Sequence, residues 1–321
     1  MKLAVFSPVF GNMTLEEMLK YLSEKDVHSL ELGVGGFPGK KHADPEVLLA
    51  DDAKLKEFLD IFKKYDVEIC ALSCHGNPVH PDVKIAASYH KDFENACLLA
   101  EKIGIDTVIT FSGCPGGSKD DKTPNWITCP WPNDYSKALV YQWDEVLIPY
   151  WKKASEFAKK HGIKKIAFEL HPGFCVYNPE SLLKIRNAVG DIIGANLDPS
   201  HLFWQGVDIN YAIRKLGNAI YHFHAKDTKI DEINTKTTGV LDTKSYADEI
   251  NRSWIFRTVG YGHDKMTWKD IISNLKLVGY DGPVSIEHED SLMSPMEGLS
   301  KAIDILHDVM SEETTGNAWW I

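Results

Sequence analysis

The chain reads Ala167-Phe168-Glu169-Leu170-His171 and, after the amphipathic residues 179–189, Asn196-Leu197-Asp198-Pro199-Ser200-His201. Each quoted segment is the end of an apolar run that finishes in charged or polar side chains. Apolar runs of this length are typical of parallel strands that are buried on both faces, and a helix usually connects two such strands. This part of the chain therefore predicts a strand–helix–strand unit of a parallel sheet.

The same alternation extends along the whole chain. Eight short apolar segments are predicted strands: 2–7, 29–34, 68–74, 107–113, 165–170, 193–199, 220–227 and 283–289. Helical patterns occupy most of the gaps between them, including a long one at 138–160. Eight strands and eight helices in strict alternation predict a (β/α)8 TIM barrel of the α/β class. A doubly wound open sheet is the alternative, but no Gly-x-Gly-x-x-Gly follows the first strand, which disfavours its nucleotide-binding form.

Two of the connections that follow predicted strands are long. One follows the fourth strand, from residue 113 to about residue 135, and the other follows the seventh strand, from residue 228 to residue 266. Connections in these places lie at the C-terminal face of a barrel, where the active sites of this fold are found. Because no repeat or interdomain linker is visible, we expect residues 1–321 to form one domain that holds its extra length in these loops.

Composition and charge limit the partners that the chain can have. Its 321 residues include 35 Lys and Arg against 46 Asp and Glu, which gives a formal net charge of −11. This excess disfavours nucleic acid and anionic membranes as partners. No apolar run reaches the roughly 18 residues of a membrane span, the first residues lack signal-peptide features, and the six cysteines are scattered. We therefore expect a cytoplasmic enzyme that acts on a small molecule.

The fifth to eighth predicted strands each end in carboxylate or imidazole side chains. The last two end His222-Phe223-His224-Ala225-Lys226-Asp227 and Ser285-Ile286-Glu287-His288-Glu289-Asp290. One side chain from each strand is expected to converge at the rim: Glu169, Asp198, His224 and Glu287. Three crowded carboxylates repel one another unless a cation or protons lie between them. An oxygen-rich set with one nitrogen suits a single divalent metal, with Mn²⁺ preferred and Mg²⁺, Co²⁺ or Zn²⁺ as alternatives.

Each of these residues also has a purely structural interpretation. A carboxylate at a strand end is usually a helix N-cap or a salt-bridge partner, and Asp198 precedes a proline in the way that such a cap does. A single histidine such as His224 is more often a hydrogen-bonded structural residue than a ligand. Glu169 is harder to explain in this way, because a charge that ends a buried strand needs a partner. Four such residues in succession favour the metal site.

The segments 196–201, 222–227 and 285–290 resemble motifs of the sugar phosphate isomerase/epimerase family, the xylose-isomerase-like TIM barrels. The resemblance covers essentially the whole chain. It implies that a divalent metal is held by the same four residues: Glu169, Asp198, His224 and Glu287. The motifs are specific to the superfamily but not to a substrate, because this barrel supports many reactions.

The resemblance also implies a type of chemistry. A base removes the proton next to a sugar carbonyl, and the metal acts as a Lewis acid that stabilises the resulting enediolate. In epimerases of the family the metal-bound glutamates serve as acid and base, which implies these roles for Glu169 and Glu287. The family further implies that His201 binds a substrate hydroxyl. Isomerisation, epimerisation and elimination on a keto-sugar all begin with this step.

Three other segments are similar to a narrower subgroup of the family, namely 72–78, the insertion 114–132, and 201–206. The subgroup includes sugar isomerases and the catalytic subunits of C-glycoside deglycosidases. The latter cleave a carbon–carbon glycosidic bond after the sugar has been oxidised to a 3-keto form. This resemblance implies elimination from a 3-keto-C-glycoside and association with a small second subunit.

Further polar and aromatic residues complete the candidate site. His171 is an alternative base, because strand alternation places it on the same face as Glu169. Five more residues are candidates for substrate binding beside His201: His75, Lys226, Arg257, Trp131 and Trp204. Each has an ordinary structural alternative as a hydrogen-bonded histidine, a solvated lysine, a surface arginine or a core tryptophan.

Two other functions share this barrel. An abasic-site endonuclease would need more histidine ligands for a zinc cluster and a basic groove, which the net charge of −11 disfavours. A non-catalytic sugar-binding barrel without a metal is disfavoured by the acidic strand ends, which would only destabilise it.

The C-terminus is apolar and aromatic, with the sequence Asn317-Ala318-Trp319-Trp320-Ile321. Such a segment is not expected to remain in water, so it should pack on its own barrel or enter a subunit interface. We favour the interface, and expect a homo-oligomer or a complex with a small second subunit.

Overall fold

The structure is a computed structural model that describes residues 1–311, 316, 318 and 320–321. In this part of the chain ten strands occur: β1 (Lys2–Phe6), β2 (Ser29–Gly33), β3 (Glu68–Ser73), β4 (Thr107–Thr110), β5 (Lys165–Glu169), β6 (Ile193–Leu197), β7 (Ile220–Ala225), β8 (Asp227–Ile230), β9 (Trp254–Arg257) and β10 (Pro283–Ile286). Strands β1 to β7 and β10 form a closed barrel, in which β1 pairs with β10 and all neighbours are parallel. The predicted (β/α)8 barrel is confirmed.

The same described residues form twelve α-helices: α1 (Leu15–Glu24), α2 (Pro45–Ala50), α3 (Asp52–Tyr65), α4 (Val83–Ile103), α5 (Asn133–Val140), α6 (Ile148–Lys160), α7 (Pro179–Val189), α8 (Pro199–Phe203), α9 (Ile209–Leu216), α10 (Glu232–Thr238), α11 (Lys265–Leu277) and α12 (Pro295–Val309). A π-helical segment, Tyr141–Leu147, joins α5 to α6. The helical pattern predicted for 138–160 therefore corresponds to three consecutive helical segments.

Helix α1 shows how the sequence forms the outer layer of the barrel. It begins with a capping box, in which Glu17 N donates to Thr14 Oγ1 at 3.3 Å and Thr14 N donates to the Glu17 carboxylate at 2.8 Å. Its buried side chains are Met18, Leu19 and Leu22. Their helical spacing places them on one face, which packs into the main hydrophobic core.

The strict alternation of eight strands and eight helices is incomplete. Strands β8 and β9 form an antiparallel hairpin in the long connection after β7, with Asp227 opposite Arg257 and Ile230 opposite Trp254. The predicted strand 220–227 is therefore divided, because the chain leaves the barrel after Ala225 and turns into the hairpin. Helices α2, α8 and α10 also lie in connections and are short. Hairpin pairing depends on contacts between distant residues, which the periodicity of one segment does not contain.

The connection after β7 is held against the barrel by Asp227, which is fully buried. Its Oδ2 atom accepts hydrogen bonds from the backbone N–H groups of Gly260, Gly262 and His263 at 3.0–3.1 Å. The indole Nε1 of Trp268 donates to the same oxygen at 3.1 Å. One carboxylate thus joins the start of the hairpin to the segment that leads into α11.

Two expectations from the sequence concern the outside of the barrel: the absence of a membrane span and the packing of the C-terminus. Within residues 1–311, none of the helices is both long enough and apolar enough to cross a membrane. The C-terminal segment 317–321, which is expected to pack or enter an interface, falls partly outside the described residues, because residues 317 and 319 are not among them. The interface therefore stays a prediction.

Replacing Asp227 with Asn should destabilise the protein. The amide can present only one of the two acceptor atoms, and its NH₂ group would face N–H donors in a buried site, at a cost of about 1–3 kcal/mol in the free energy of unfolding. Urea denaturation measures this change. The matched control is Asp270→Asn on the exposed face of α11, which should alter stability by less than about 0.5 kcal/mol. Equal stability of the two variants would contradict the anchoring role.

Candidate metal centre

A cavity of about 540 Å³ opens at the C-terminal ends of the barrel strands. Five of the residues selected from the sequence line it: His75, Glu169, His171, Lys226 and Glu287. They lie at or just after the C-terminal ends of β3, β5, β7 and β10, so the barrel brings together residues that are far apart in the chain. Four phenylalanine rings form much of the apolar wall: Phe6, Phe37, Phe111 and Phe174. A largely apolar cavity with a few convergent polar groups is the usual form of a small-molecule site.

The four residues expected to bind a metal converge next to this cavity, and two of them, Glu169 and Glu287, line it. Each offers one nitrogen or oxygen atom, and these atoms all lie within 4.8 Å of one another: Glu169, Asp198, His224 and Glu287. Asp198 and His224 are fully buried, and Glu169 is nearly so. The side chain of Glu287 is 17% exposed, which leaves one side of the cluster open to the cavity.

Two of the converging atoms are buried and make no hydrogen bond, namely Asp198 Oδ2 and His224 Nδ1. Their nearest charged neighbours are Lys226 Nζ, 3.2 Å from Asp198 Oδ2, and Glu287 Oε2, 3.2 Å from His224 Nδ1. A buried polar atom without a partner is costly. A divalent cation among three carboxylates and one imidazole would satisfy both atoms, so the donor set fits such an ion.

The charges of the cluster also favour a cation. Burial and the neighbouring carboxylates of Glu169 and Glu287 raise the pKa of Asp198 to about 7. Burial opposes the ionisation of Glu287 as well, but the ammonium of Lys226 and the imidazole of His224 outweigh it and lower the pKa of Glu287 to about 2. The site therefore holds its negative charge only with nearby positive charge.

When no metal ion is bound, Lys226 supplies positive charge to the cluster of carboxylates. Its Nζ atom lies 2.7 Å from Glu287 Oε2, 3.0 Å from Glu289 Oε2 and 3.2 Å from Asp198 Oδ2. Although burial disfavours the ammonium, these carboxylates raise the pKa of Lys226 well above its usual value. Lys226 is thus a buried cation at the cavity, and its binding of a substrate oxygen stays a prediction.

Three histidines lie around the carboxylate of Glu169. His201 Nε2 lies 3.0 Å from one oxygen and His75 Nε2 lies 2.9 Å from the other. The rings of His171 and His201 are in contact, with their centroids 4.0 Å apart. Burial lowers the pKa of His201 to about 3 and lowers that of His171. Both imidazoles are therefore neutral near pH 7, which leaves His171 able to accept a proton.

Four of the substrate-binding candidates from the sequence do not line the cavity in this structure: His201, which is buried against Glu169, and Trp131, Trp204 and Arg257. Trp131 is 74% exposed on the connection after β4. Trp204 is buried and stacks on Trp254, with ring centroids 4.6 Å apart. The Nε atom of Arg257 donates to Asp290 Oδ2 at 3.1 Å and so joins the hairpin to the segment after β10. Trp204 and Arg257 thus make packing and ion-pair contacts within the rim loops. Substrate binding by these candidates stays a prediction, and no contact with the cavity supports it.

A functional candidate that the sequence reasoning missed lies beneath the cluster. Glu31 of β2 is fully buried, and four side chains from other strands donate hydrogen bonds to its carboxylate: Ser73 at 2.5 Å, Ser285 at 2.7 Å, His222 at 2.9 Å and His224 at 2.9 Å. Burial opposes its ionisation, but the two imidazoles outweigh burial and hold the pKa of Glu31 well below its usual value. The sequence does contain a signal for this residue, because Glu31 is the single charge inside the apolar predicted strand 29–34 and a buried charge needs partners.

Comparison with known proteins identifies the family. Residues 27–309 match the model of the xylose isomerase-like TIM barrel family, and the uncharacterized protein YfiH of Bacillus subtilis is 40% identical over 314 residues, which are 97% of this chain and 100% of that protein. The chain belongs to the xylose isomerase-like TIM barrel family. The family predicted from the strand-end motifs is therefore confirmed.

Two other proteins are similar to this chain at lower identity. Inosose dehydratase of Mesomycoplasma hyopneumoniae (strain J) is 23% identical over 304 residues, which are 94% of this chain and 90% of that enzyme. The crystal structure of the IolI protein with a bound zinc atom superposes with a TM-score of 0.66 at 21% identity, over 96% of this chain and 98% of that one. At this identity the structural likeness supports the barrel fold.

In this xylose isomerase-like barrel, Asp198→Asn should separate metal binding from folding. The amide can still accept the hydrogen bond from Ser200 N at the start of α8, and it removes one of the crowded charges. We expect an unchanged or higher Tm of the metal-free protein, together with at least a roughly tenfold loss of Mn²⁺ affinity in a chelator-competition titration.

The control for this variant is Asp208→Asn, which alters an aspartate cap of the same kind at the start of α9. Its Mn²⁺ affinity should equal that of the wild-type protein. If Asp198→Asn binds Mn²⁺ as tightly as the wild type, Asp198 is not a ligand.

Proposed function

We propose that this chain is a divalent-metal-dependent enzyme that removes the proton next to the carbonyl of a keto-sugar, with isomerisation, epimerisation or elimination as the outcome. One observation carries the proposal: four side chains suited to a divalent metal converge next to a cavity that two of them line, and this cavity also presents acid–base groups. This combination of a metal-binding set, titratable side chains and an enclosed volume is what such a reaction requires.

Four residues would hold the cation: Glu169, Asp198, His224 and Glu287. When bound, a divalent cation supplies Lewis-acid stabilisation of the negative charge that develops on substrate oxygens. Mn²⁺ is the preferred ion for this oxygen-rich set, and Mg²⁺, Co²⁺ and Zn²⁺ are alternatives. Zinc is included because the solved IolI structure holds a zinc atom.

The acid and base of the reaction are assigned to Glu169 and Glu287, which both line the cavity. Glu169 is oriented by His75 and His201, and Glu287 is oriented by Lys226 at 2.7 Å. His171 is the alternative base, because it is neutral and lines the same cavity. Lys226 and His201 would bind substrate oxygens, the first as a cation and the second through its imidazole.

The apolar wall of the cavity supports a finer proposal about the substrate. Phe111 and Phe174 are stacked, with ring centroids 4.1 Å apart and an angle of 18° between the ring planes, and Phe37 at the mouth is 64% exposed. Such rings would pack against an apolar or aromatic part of a substrate. We therefore favour a 3-keto-C-glycoside, whose carbon–carbon glycosidic bond is cleaved by elimination. An inosose-like ketone is the alternative, on the basis of the inosose dehydratase relative.

The exchange of a substrate proton with solvent tests the shared first step. The Mn²⁺-loaded enzyme in D₂O should incorporate deuterium next to the carbonyl of a member of one of two panels, measured by NMR. One panel contains ketoses and inosose-like ketones, and the other contains 3-keto-C-glycosides. Glu287→Gln should slow the exchange by roughly 10²- to 10⁴-fold, because it removes an acid–base group.

Glu297→Gln is the control for this variant, because it changes an exposed glutamate on α12, which pairs with Lys301. It should exchange at the wild-type rate. Absence of exchange with every compound in both panels would refute the proposed first step, and full activity of Glu287→Gln would remove Glu287 from the mechanism.

Removal of the metal provides a separate test. Treatment with EDTA followed by dialysis should abolish the exchange, and added Mn²⁺ should restore it, because the cation stabilises the charge on the substrate. Metal analysis should find one divalent ion per chain, whereas a zinc cluster would favour the endonuclease alternative. Undiminished exchange in protein shown to be free of metal would contradict metal dependence.

A further inference from the structure

We propose that Glu31 is a positioning residue for the metal centre, which fixes the tautomer and the orientation of His224 so that the Nδ1 atom of this ligand faces the ion. The inference rests on the proposed function, because it takes the cluster above Glu31 to be a metal site. It adds a residue that does not line the cavity, and it assigns a purpose to a fully buried charge in the interior of the barrel.

The imidazole of His224 lies between Glu31 and the metal-binding cluster. On one side its Nε2 atom lies 2.9 and 3.1 Å from the two oxygens of Glu31. On the other side its Nδ1 atom lies 3.2 Å from Glu287 Oε2 and 3.5 Å from Glu169 Oε2. The ring of Phe6 stacks on the imidazole, with centroids 5.4 Å apart and 29° between the planes. The ring is therefore held from both edges and on one face.

The hydrogen bond to Glu31 determines which nitrogen of His224 carries the proton. A carboxylate that already receives hydrogens from Ser73, Ser285 and His222 can only accept a further one. The proton of a neutral imidazole must then lie on Nε2, and Nδ1 keeps the lone pair that a metal requires. Histidine ligands of metals commonly donate their other N–H group to a carboxylate in this way, which also makes them more basic.

Glu31 can direct His224 because its own position is rigid. Its hydrogen-bond partners are in β3, β7 and β10, so one side chain of β2 contacts three other strands of the barrel interior. The glutamate and both serines are completely buried. Because both oxygens of Glu31 are bound by groups on separate strands, its side chain has one available rotamer. The imidazole of His224, which it contacts, is therefore held in one orientation as well.

A second interpretation of the same residues is a second ion. Glu31, His222 and His224 offer atoms that lie within 4.8 Å of one another. An ion there would need unprotonated Nε2 atoms on both histidines, so it would replace the hydrogen bonds that both now make to Glu31. The existing hydrogen bonds satisfy the carboxylate without an ion, so we favour the positioning role and treat a second ion as an outcome of the test.

The test begins with the wild-type protein loaded with Zn²⁺, which is diamagnetic and so leaves the NMR signals of the site visible. Selective ¹⁵N labelling of histidine and long-range ¹H–¹⁵N NMR identify the protonated nitrogen of each ring, and His224→Asn assigns the signal of His224. We expect a proton on Nε2 and none on Nδ1. A neutral His224 ring with its proton on Nδ1 would overturn the inference, whether or not any Glu31 variant folds.

Glu31→Gln then tests the effect on the ion. The amide presents one acceptor and two donor hydrogens, so the preference for the Nε2–H tautomer should weaken in the NMR spectrum. Mn²⁺ affinity in a chelator-competition titration should fall by roughly 10- to 100-fold. The control is Thr110→Val in β4, a buried residue whose hydroxyl donates to Cys74 O, and it should leave both measurements unchanged.

The possible results separate this inference from the proposed function. A wild-type protein that binds no divalent ion would contradict the proposed function. Tight Mn²⁺ binding by Glu31→Gln, with an unchanged tautomer of His224, would overturn the inference and leave the proposed function intact. Two ions per wild-type chain would also overturn it in favour of a second site. A weaker affinity with an altered tautomer supports the positioning role.

Discussion

The main constraint on this molecule is the crowding of negative charge at the buried C-terminal end of the barrel strands. Three carboxylates and an imidazole present atoms within 4.8 Å of one another where little water reaches. Such a group is unfavourable in isolation, since burial and mutual repulsion both oppose ionisation. Its surroundings compensate with the ammonium of Lys226 and with the imidazoles of His75 and His201, which contact the carboxylates. The barrel thus maintains an arrangement that a divalent cation would complete.

Much of the fold and part of the site could be predicted from the chain alone, for identifiable reasons. Apolar strands and amphipathic helices leave periodic patterns, and the ends of neighbouring strands must meet at one rim, so the barrel and the convergence of Glu169 with Glu287 follow from local sequence. The partners of Glu31 were not predictable in this way. They are up to 254 residues away in the chain, and only the closed barrel brings them together.

The folding of the long connections also depends on contacts between distant residues, so it could not be predicted from local sequence. Trp204 and Arg257 are candidates for substrate binding by their aromatic or charged side chains, but the directions of these side chains depend on how the insertion after β7 folds. The insertion forms a hairpin whose path is set by tertiary contacts, including those of Asp227. Trp254 of the hairpin stacks on Trp204 of the preceding connection, and Arg257 of the hairpin binds Asp290, which follows β10. Local pattern identifies which residues lie at a rim, whereas contacts between distant segments determine which of them face the cavity.

The anchoring carboxylate of Asp227 has a consequence for how this barrel can diversify. Asp227 directly follows Lys226 in the chain. The contacts that hold Asp227 at the base of the hairpin therefore also fix the position of the Lys226 ammonium at the cavity. Beyond Ile230 and Trp254 the insertion extends away from this fixed base and carries exposed apolar side chains such as Ile233 and Ile250. Residues 231–251 are mostly exposed and none of them lines the cavity, so changes of sequence on their exposed side should leave the positions of Asp227 and Lys226 unaltered.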